Sequence, residues 1–266
     1  MKKTATFFVF VCALVTCTEC FERKTKCLAG DKHKDSLAPE ESLFACQAYT
    51  QNSCCTRNFT KQLANSPIRK IDGFSWTPCN NTLSPKCEAF MVSIECFYRC
   101  SHNTIYWENP DFPSAMLNAP ICAGFCDDWF DACKDDLTCA KNWLTDFNTT
   151  GPGNANTCKN PCRNFSDYYS GGKDLCESMW GSSFVYKETD CLQLNFTGPN
   201  PNDKLVEKLF GGNGNTTNTS DTTTTIAATA TTATITGKSG AFVTTASLVF
   251  AITPSLVFTL FIKHIA

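Results

Sequence analysis

Cysteine content is the feature that most restricts how this chain can fold. The 266-residue sequence contains 19 cysteines, of which three lie in the first 20 residues and sixteen lie between Cys27 and Cys191. An even number at this density is typical of a secreted domain held together by disulfides. The spacing by itself does not choose among the many possible pairings. Each disulfide stabilises a fold by about 2–4 kcal/mol, mainly by restricting the unfolded chain, so apolar side chains remain available for a ligand.

The same cysteines argue against a metal centre and a catalytic thiol. Zinc sites use paired Cys-x2-Cys or Cys/His spacings, but the region from Cys27 to Cys191 has no Cys-x2-Cys pair and only two histidines, His33 and His102. The sequence also lacks a nucleophile–base constellation and a glycine-rich phosphate loop, so we predict that the protein is not an enzyme. A net charge of −2 without a basic patch gives no reason to expect nucleic-acid binding.

The N-terminus predicts secretion. Lys2 and Lys3 precede a mostly apolar stretch, residues 6–16, which is too short to span a bilayer and is followed by small and polar residues. This pattern is typical of a secretory signal peptide. We therefore predict a signal peptide over residues 1–20 and a ligand-binding domain over residues 21–200.

The C-terminal end predicts attachment to the cell surface. Ala241–Ile262 is a run of 22 residues without a charge, which a transmembrane helix would also explain. The small residues Ser239, Gly240 and Ala241 lie where this run starts, the first two just before it, and that arrangement favours a glycosylphosphatidylinositol (GPI) anchor signal. We predict lipid attachment at Ser239 and removal of residues 240–266, with the protein on the outer leaflet of the plasma membrane. Residues 201–239 are Thr-rich, so we expect a disordered stalk there.

Asn-x-Ser/Thr sequons predict N-linked glycans on the exterior of the domain. They occur at Asn58, Asn80, Asn148, Asn164 and Asn195. Their spread along the domain is typical of a secreted glycoprotein.

The segment 87–100, CEAFMVSIECFYRC, predicts an amphipathic helix. At about 100° per residue, one stripe carries four side chains. This stripe consists of Cys87, Met91, Ile94 and Tyr98. Cys96 and Cys100 lie one turn apart on the opposite side. One face can therefore be bridged by disulfides while Ile94 and Tyr98 face elsewhere.

The segment 118–141 predicts a second helix, with Asn118 as its N-cap and Pro120 in its first turn. Its inward stripe consists of Cys122, Cys126, Trp129 and Cys133. The opposite face is acidic, and we interpret it as a solvated surface with a cation site as the alternative. The remaining segments are short and bounded by turn signals, so we predict a single helix-rich α+β domain with little sheet.

Longer stretches of the sequence carry a family resemblance. They are CLAGDKHK (27–34), SCCTRNFTKQLANSPI (53–68), IECFYRCS (94–101), CAGFCDDWFDACKDDLTCAKNWLTDF (122–147) and CESMWGSSF (176–184). In these stretches and in its cysteine spacing the chain resembles the folate receptor and riboflavin-binding protein family, and it is most similar to the riboflavin-binding members. The GPI signal resembles that of the receptors. The resemblance covers nearly the whole predicted domain and implies a folate receptor-like fold with eight disulfides.

The resemblance also implies how the cysteines of the domain pair. The implied disulfides are Cys27–Cys54, Cys46–Cys96, Cys55–Cys100, Cys79–Cys162, Cys87–Cys133, Cys122–Cys191, Cys126–Cys176 and Cys139–Cys158. This pairing leaves no cysteine of the domain unused.

The resemblance further implies a deep pocket in which a flat heteroaromatic vitamin lies between two aromatic side chains. The matching positions are Tyr98, in CFYRC, and Trp180, in SMWGS. Offset stacking suits such a ring and adds about 0.5–1.5 kcal/mol beyond the area buried. The alternative is that both are ordinary core aromatics. We also expect Ile94, Phe112, Trp143 and Phe147 to line the pocket, and Trp129 to lie in the core.

Charge distinguishes the two vitamins of this family. Folate receptors meet the pterin with an aspartate and hold the ligand with an Arg-x-x-Arg segment. The matching positions here are Ile94 and the residues FPSA at 112–115. Burying folate's pterin edge and two carboxylates without partners would be costly, whereas riboflavin is neutral. We therefore predict a monomeric cell-surface receptor that captures riboflavin for storage or uptake, as a bound ligand and not as a catalytic cofactor, with folate as the alternative.

Adhesion is a further alternative. Within the same family, an egg-surface receptor for sperm resembles folate receptors but does not use folate. An adhesion module would tolerate a collapsed pocket, whereas capture of a vitamin requires an accessible one. The geometry of the pocket therefore separates the two functions.

Overall fold

The computed structural model describes residues 25–149 and 155–211. The predicted signal peptide, the Ser239 attachment site and residues 240–266 lie outside the described residues. The helices are α1 (Arg57–Leu63), α2 (Pro85–Cys100), α3 (Ala123–Cys133), α4 (Phe165–Tyr168), α5 (Gly172–Ser178) and α6 (Asn202–Phe210), with short 3₁₀ helices at Gln47–Tyr49, His102–Trp107 and Gly181–Ser183. In the described part of the chain, no helix is both long enough and apolar enough to cross a membrane.

The strands are short and pair only in twos within the described ranges. They are β1 (Lys70–Ile71), β2 (Phe74–Ser75), β3 (Ala119–Cys122), β4 (Leu137–Thr138), β5 (Phe147–Asn148), β6 (Thr157–Cys158), β7 (Arg163–Asn164) and β8 (Phe184–Lys187). Strands β1–β2, β4–β7 and β5–β6 pair in antiparallel fashion, whereas β3 and β8 pair in parallel. The prediction of a helix-rich α+β domain with little sheet is confirmed.

Eight disulfides hold these elements together, and they join the pairs that the resemblance implies. Three of them fasten α2, namely Cys87–Cys133, Cys96–Cys46 and Cys100–Cys55. All six of these cysteines are buried. Helix α2 is therefore tied to its surroundings near both of its ends.

Helix α2 begins at a conventional N-terminal signal. The hydroxyl of the N-cap, Ser84, accepts a hydrogen bond from the Cys87 backbone N–H (3.3 Å). Pro85 takes the first helical position, where a backbone N–H would have no partner within the helix. Met91 and Ile94, on the predicted stripe, are buried. The prediction of a helix over residues 87–100 is confirmed.

The second predicted helix begins later than expected. Residues 119–122 form β3, and α3 starts only at Ala123. It also ends earlier than predicted, at Cys133, because the chain turns there and forms β4 at Leu137–Thr138. Asn118 has a φ of 54°, and its backbone N–H donates to the Ser182 carbonyl (2.8 Å). The prediction of an N-cap at Asn118 is wrong, because pairing of β3 with the distant β8 outweighs the local capping signal. Trp129 is fully buried in α3, as predicted.

The folded part of the chain continues past the predicted domain boundary at residue 200. Asn202, at the start of α6, is buried, and its side chain donates to the Gln193 carbonyl and accepts from the Gln193 backbone N–H, both at 2.8 Å. Further along, the Phe210 ring contacts Tyr106 and Trp107. The prediction of a disordered stalk from residue 201 is wrong for residues 201–211, because this helix packs against the domain.

Candidate ligand-binding cavity

Helix α2 forms one wall of a cavity of about 130 Å³. Three of its residues, Ile94, Glu95 and Tyr98, line the cavity within little more than one turn. The other lining residues come from distant segments and are Ala115, Met116, Leu144, Trp180, Ser183 and Phe184. The fold therefore brings three of the predicted ligand-binding residues, Ile94, Tyr98 and Trp180, to one place.

Tyr98 is held at both ends of its side chain. Its hydroxyl donates a hydrogen bond to the Ser114 carbonyl (2.7 Å). The His33 ring packs edge-on against the phenol ring, with centroids 5.0 Å apart, and His33 Nε2 donates to the Tyr98 backbone carbonyl (2.9 Å). Burial raises the pKa of Tyr98 to about 12 and lowers that of His33. The phenol is thus a fixed and neutral wall at physiological pH.

Trp180 is supported from behind by other aromatic side chains. The Trp143 ring packs against it in a T-shaped arrangement, with centroids 5.9 Å apart. Gly181 follows with a φ of 59°, which glycine adopts without steric strain. The Trp180 indole N–H is buried and has no hydrogen-bond partner among the described residues. Trp180 thus carries a buried donor that no described residue pairs.

Among the described residues, the only carboxylate or basic side chain in the cavity lining is Glu95, and it is neutralised locally. Glu95 accepts a hydrogen bond from Arg99 Nε (3.0 Å), and Arg99 also pairs with Asp72 and lies over the Phe59 ring. Burial raises the pKa of Glu95, and the adjacent guanidinium opposes this rise. No arginine or lysine among the described residues lines the cavity. The part of the wall that the structure describes therefore offers an anionic ligand no ionic partner.

Phe112 was expected to line the pocket, and the structure places it elsewhere. Its side chain is 68 % exposed and is absent from the lining. The chain turns at this point, because the Phe112 N–H donates to the Asn109 carbonyl (3.2 Å) and the Ala115 N–H donates to the Phe112 carbonyl (2.8 Å). The turn leaves Phe112 outside and brings Ala115 to the cavity wall.

Trp143 and Phe147 were also expected to line the pocket, but they lie behind it in the core. They are 2 % and 4 % exposed, respectively. Phe147 belongs to β5, and its ring packs against Phe74 and Trp143. Trp143 contacts the far side of the cavity wall by packing on Trp180. These residues position the wall and do not form it.

Several lining residues were missed by sequence reasoning. They are Glu95, Ala115, Met116, Leu144, Ser183 and Phe184. Glu95 lies three residues before Tyr98, so helical spacing was a signal that could have found it. The others lie in loops, at a strand end or, for Ser183, in a single 3₁₀ turn, where no periodicity indicates which side chain points inward.

A cluster of four sulfur atoms has the compactness of a metal site but not its chemistry. The Sγ atoms of Cys79, Cys139, Cys158 and Cys162 all lie within 4.8 Å of one another. They are paired in two disulfides, Cys79–Cys162 and Cys139–Cys158. A disulfide sulfur carries no thiolate charge, so this cluster is not a zinc site while the bonds are intact.

Comparison with known proteins gives both a family and close relatives. The profile of the folate receptor family matches residues 26–193. The riboflavin-binding protein of Gallus gallus is 45 % identical over 188 residues, which cover 71 % of this chain and 77 % of the relative. The riboflavin-binding protein of Dromaius novaehollandiae is 44 % identical over the same length and coverage. Folate receptor gamma of Homo sapiens is 28 % identical over 193 residues, covering 68 % and 78 % of the two chains.

Proposed function

Since the chain belongs to the folate receptor family, we propose that its cavity binds a flat, neutral heteroaromatic vitamin, riboflavin, with the ring between Tyr98 and Trp180. The observation that carries this proposal is that these two side chains, 82 positions apart in the sequence, line one cavity. Aromatic walls suit a fused ring system, because stacking adds to the free energy gained from burial. Capture by binding, without catalysis, is the corresponding activity.

The charges of the lining favour riboflavin over folate. Ile94 is apolar where folate receptors have an aspartate, and the wall has one neutralised carboxylate, Glu95, and no basic side chain from the described residues. A ligand with two carboxylates would lose hydration there without gaining partners. The relatives point the same way, since identity is 45 % to a riboflavin-binding protein and 28 % to a folate receptor.

Polar groups at the cavity suit the heteroatoms of a flavin. Ser183, Glu95 and Trp180 belong to the lining and carry a hydroxyl, a carboxyl and an indole N–H that is unpaired among the described residues. Riboflavin carries carbonyl oxygens and ring nitrogens on its ring edge and hydroxyls on its ribityl chain. Few but well-placed polar groups among apolar walls are typical of small-molecule sites.

Entry of the ring requires the cavity to widen. At about 130 Å³ it is smaller than pockets that hold drug-sized ligands, which enclose about 300–1,000 Å³. Leu144 is the lining side chain with room to move, because it is 60 % exposed. We infer that Leu144 swings outward when the vitamin enters and packs on it afterwards.

The ends of the chain support a location on the cell surface. An anchor attached at Ser239, with residues 240–266 removed, would hold the folded domain outside the cell, and glycans on the sequons would cover its exterior. Phosphatidylinositol-specific phospholipase C applied to expressing cells tests the anchor. Release of the protein into the medium is expected, whereas retention would indicate a transmembrane helix in its place.

A fluorescence titration tests the vitamin. Purified protein comprising residues 21–211, added at micromolar concentration, is expected to quench riboflavin emission, with no displacement by excess folate. The matched control is Phe112→Ala, which alters an exposed aromatic outside the lining and should bind normally. Absence of quenching by the folded protein would exclude riboflavin, and full displacement by folate would reverse the assignment of the ligand.

A further inference from the structure

A second depression lies on the side of α2 opposite the cavity. We call it the Tyr49 groove. It is formed by the 3₁₀ helix 47–49, by Val92, Ser93 and Cys96 of α2, and by residues 194–198. Its volume of about 760 Å³ lies within the range of about 300–1,000 Å³ of ligand pockets, so it has room for an occupant.

Tyr49, one of the residues that line this groove, carries an unexplained polar atom. Tyr49 is 3 % exposed, and its hydroxyl is buried without a hydrogen-bond partner in the described residues. Buried hydroxyls are normally paired, because leaving one unpaired costs free energy. The Tyr49 ring packs edge-on against Phe196, with centroids 5.4 Å apart. The groove is therefore lined by two packed aromatic side chains, and one of them carries a hydroxyl that is unpaired among the described residues.

The residues of one glycosylation sequon line the groove. Asn195, Phe196 and Thr197 form an Asn-x-Thr sequence, and all three residues line the groove. Asn195 is exposed, and its Oδ1 atom lies 2.6 Å from the Ser93 hydroxyl, whose single proton is shared between Oδ1 and the Ala89 carbonyl (2.9 Å). This bond fixes the side-chain amide while leaving its nitrogen, the atom that accepts a sugar, unengaged by Ser93. None of the asparagines at the other four sequons of the domain lines the groove.

We propose that Asn195 carries an N-linked glycan whose first sugar units lie in the Tyr49 groove, against Tyr49 and Phe196. In the transfer, the amide nitrogen displaces the lipid pyrophosphate from C1 of the first N-acetylglucosamine and loses one proton. Oδ1 keeps its lone pairs, so the bond from Ser93 persists. The C–H faces of the sugars suit the aromatic side chains that line the groove.

A glycan packed in the groove should be protected from enzymes in the native protein. Peptide N-glycosidase F must surround the bond to asparagine, so it can act only when the sugars detach. We expect release of the glycan from Asn195 to be about tenfold slower than release from the exposed Asn58 or Asn80. This factor corresponds to sugars that are detached from the groove about a tenth of the time. Site-resolved mass spectrometry of protein secreted by animal cells measures both rates. In denatured protein the rates should become equal.

Two variants test whether packing of the glycan in the groove is what slows its release. Ser93→Ala removes the bond to Oδ1 at an exposed contact, and Phe196→Ala removes one wall while keeping an Asn-Ala-Thr sequon. Both variants are expected to speed release of the glycan from Asn195 in the native protein. Release from Asn58 and Asn80 should not change. If Phe196→Ala fails to fold, Ser93→Ala alone is decisive. An unoccupied Asn195, or equal native rates at Asn195 and the control sites, would overturn the proposal.

Discussion

The two sides of helix α2 are built in different ways. On one side, Cys96 and Cys100 join the helix to Cys46 and Cys55 through buried disulfides. On the other side, the only disulfide from α2 in the described residues is Cys87–Cys133, near the start of the helix, and Ile94 and Tyr98 line a cavity farther along, where they are held by packing and hydrogen bonds. The difference indicates how a small domain can keep a cavity beside a helix. Covalent links on one side restrict the unfolded chain and fix the helix, so the opposite side does not have to be packed for stability.

The same contrast extends to the far wall of the cavity. Trp180 follows α5, which one disulfide, Cys126–Cys176, fastens to α3. Beyond this link, the wall depends on aromatic packing of Trp143 and on hydrogen bonds of Asp174. Changes on the disulfide side of α2 should therefore affect folding, whereas changes on the cavity side should affect binding.

The largest effect is expected on the disulfide side. Replacing both Cys55 and Cys100 by serine opens a link that spans 45 residues and should lower the free energy of unfolding by about 2–5 kcal/mol. Denaturant unfolding of the secreted protein measures the loss. The comparison pair, Cys79→Ser with Cys162→Ser, lies outside the cavity lining, so its folded fraction should keep its riboflavin affinity. An unchanged unfolding free energy without the Cys55–Cys100 link would contradict the role given to these disulfides.

On the cavity side, Tyr98→Ala and Trp180→Ala should each weaken riboflavin binding by about 2–4 kcal/mol. This corresponds to roughly 30- to 1,000-fold in the dissociation constant. Flavin fluorescence titration measures the loss, and circular dichroism checks that the fold persists. Tyr98→Phe is the matched control, because it keeps the ring and removes only the hydrogen bond to Ser114, worth about 0.5–1.5 kcal/mol of stability. Equal riboflavin affinity of the wild type and Trp180→Ala would show that the indole does not contribute to binding.

A smaller, pH-dependent effect is expected at Asp174. Burial alone would raise its pKa, but hydrogen bonds from Lys141, Ser170 and Ser178 outweigh burial and lower the pKa to about 2. A folded pKa below the unfolded value stabilises the fold above the unfolded value near 3.8, and this stabilisation disappears as the pH falls toward 2. Asp174→Asn should therefore lose less unfolding free energy than wild type between about pH 5 and pH 2. Urea unfolding at the two pH values decides this, and parallel losses would contradict it.

The smallest effect is expected from Phe112→Ala. The side chain is 68 % exposed and does not line the cavity, so riboflavin affinity and stability should each change by no more than about 0.5 kcal/mol. The same titration and denaturation measure both quantities. A tenfold loss of affinity would show that the turn at Phe112 closes over the ligand.

Local signals and the family resemblance predicted the covalent side of α2 well. The stripe and the opposed cysteines of residues 87–100 follow from helical period alone. The choice of Cys96–Cys46 and Cys100–Cys55 came from the resemblance, because spacing cannot select a pairing. Tyr98 and Trp180 were likewise identified by matching CFYRC and SMWGS, since nothing local distinguishes them from core aromatics.

The remaining features depend on contacts between distant segments. Strand β3 carries the signal of a helix N-terminus, yet it pairs with β8, which the local sequence does not reveal. At the loop 112–115, a turn decides that Ala115 and not Phe112 reaches the cavity. Helix α6 adjoins a Thr-rich segment that suggested disorder, but Asn202 bonds to Gln193 and Val206 is buried. In each case the deciding interaction joins residues that a local pattern does not relate.

A crystal structure of the protein grown with riboflavin tests the central claim most directly. The expected result is an isoalloxazine ring lying between the Tyr98 and Trp180 side chains, with Ile94 at its edge and Leu144 displaced outward. A flavin bound elsewhere, or a cavity in which Tyr98 and Trp180 touch one another in the presence of saturating riboflavin, would contradict it.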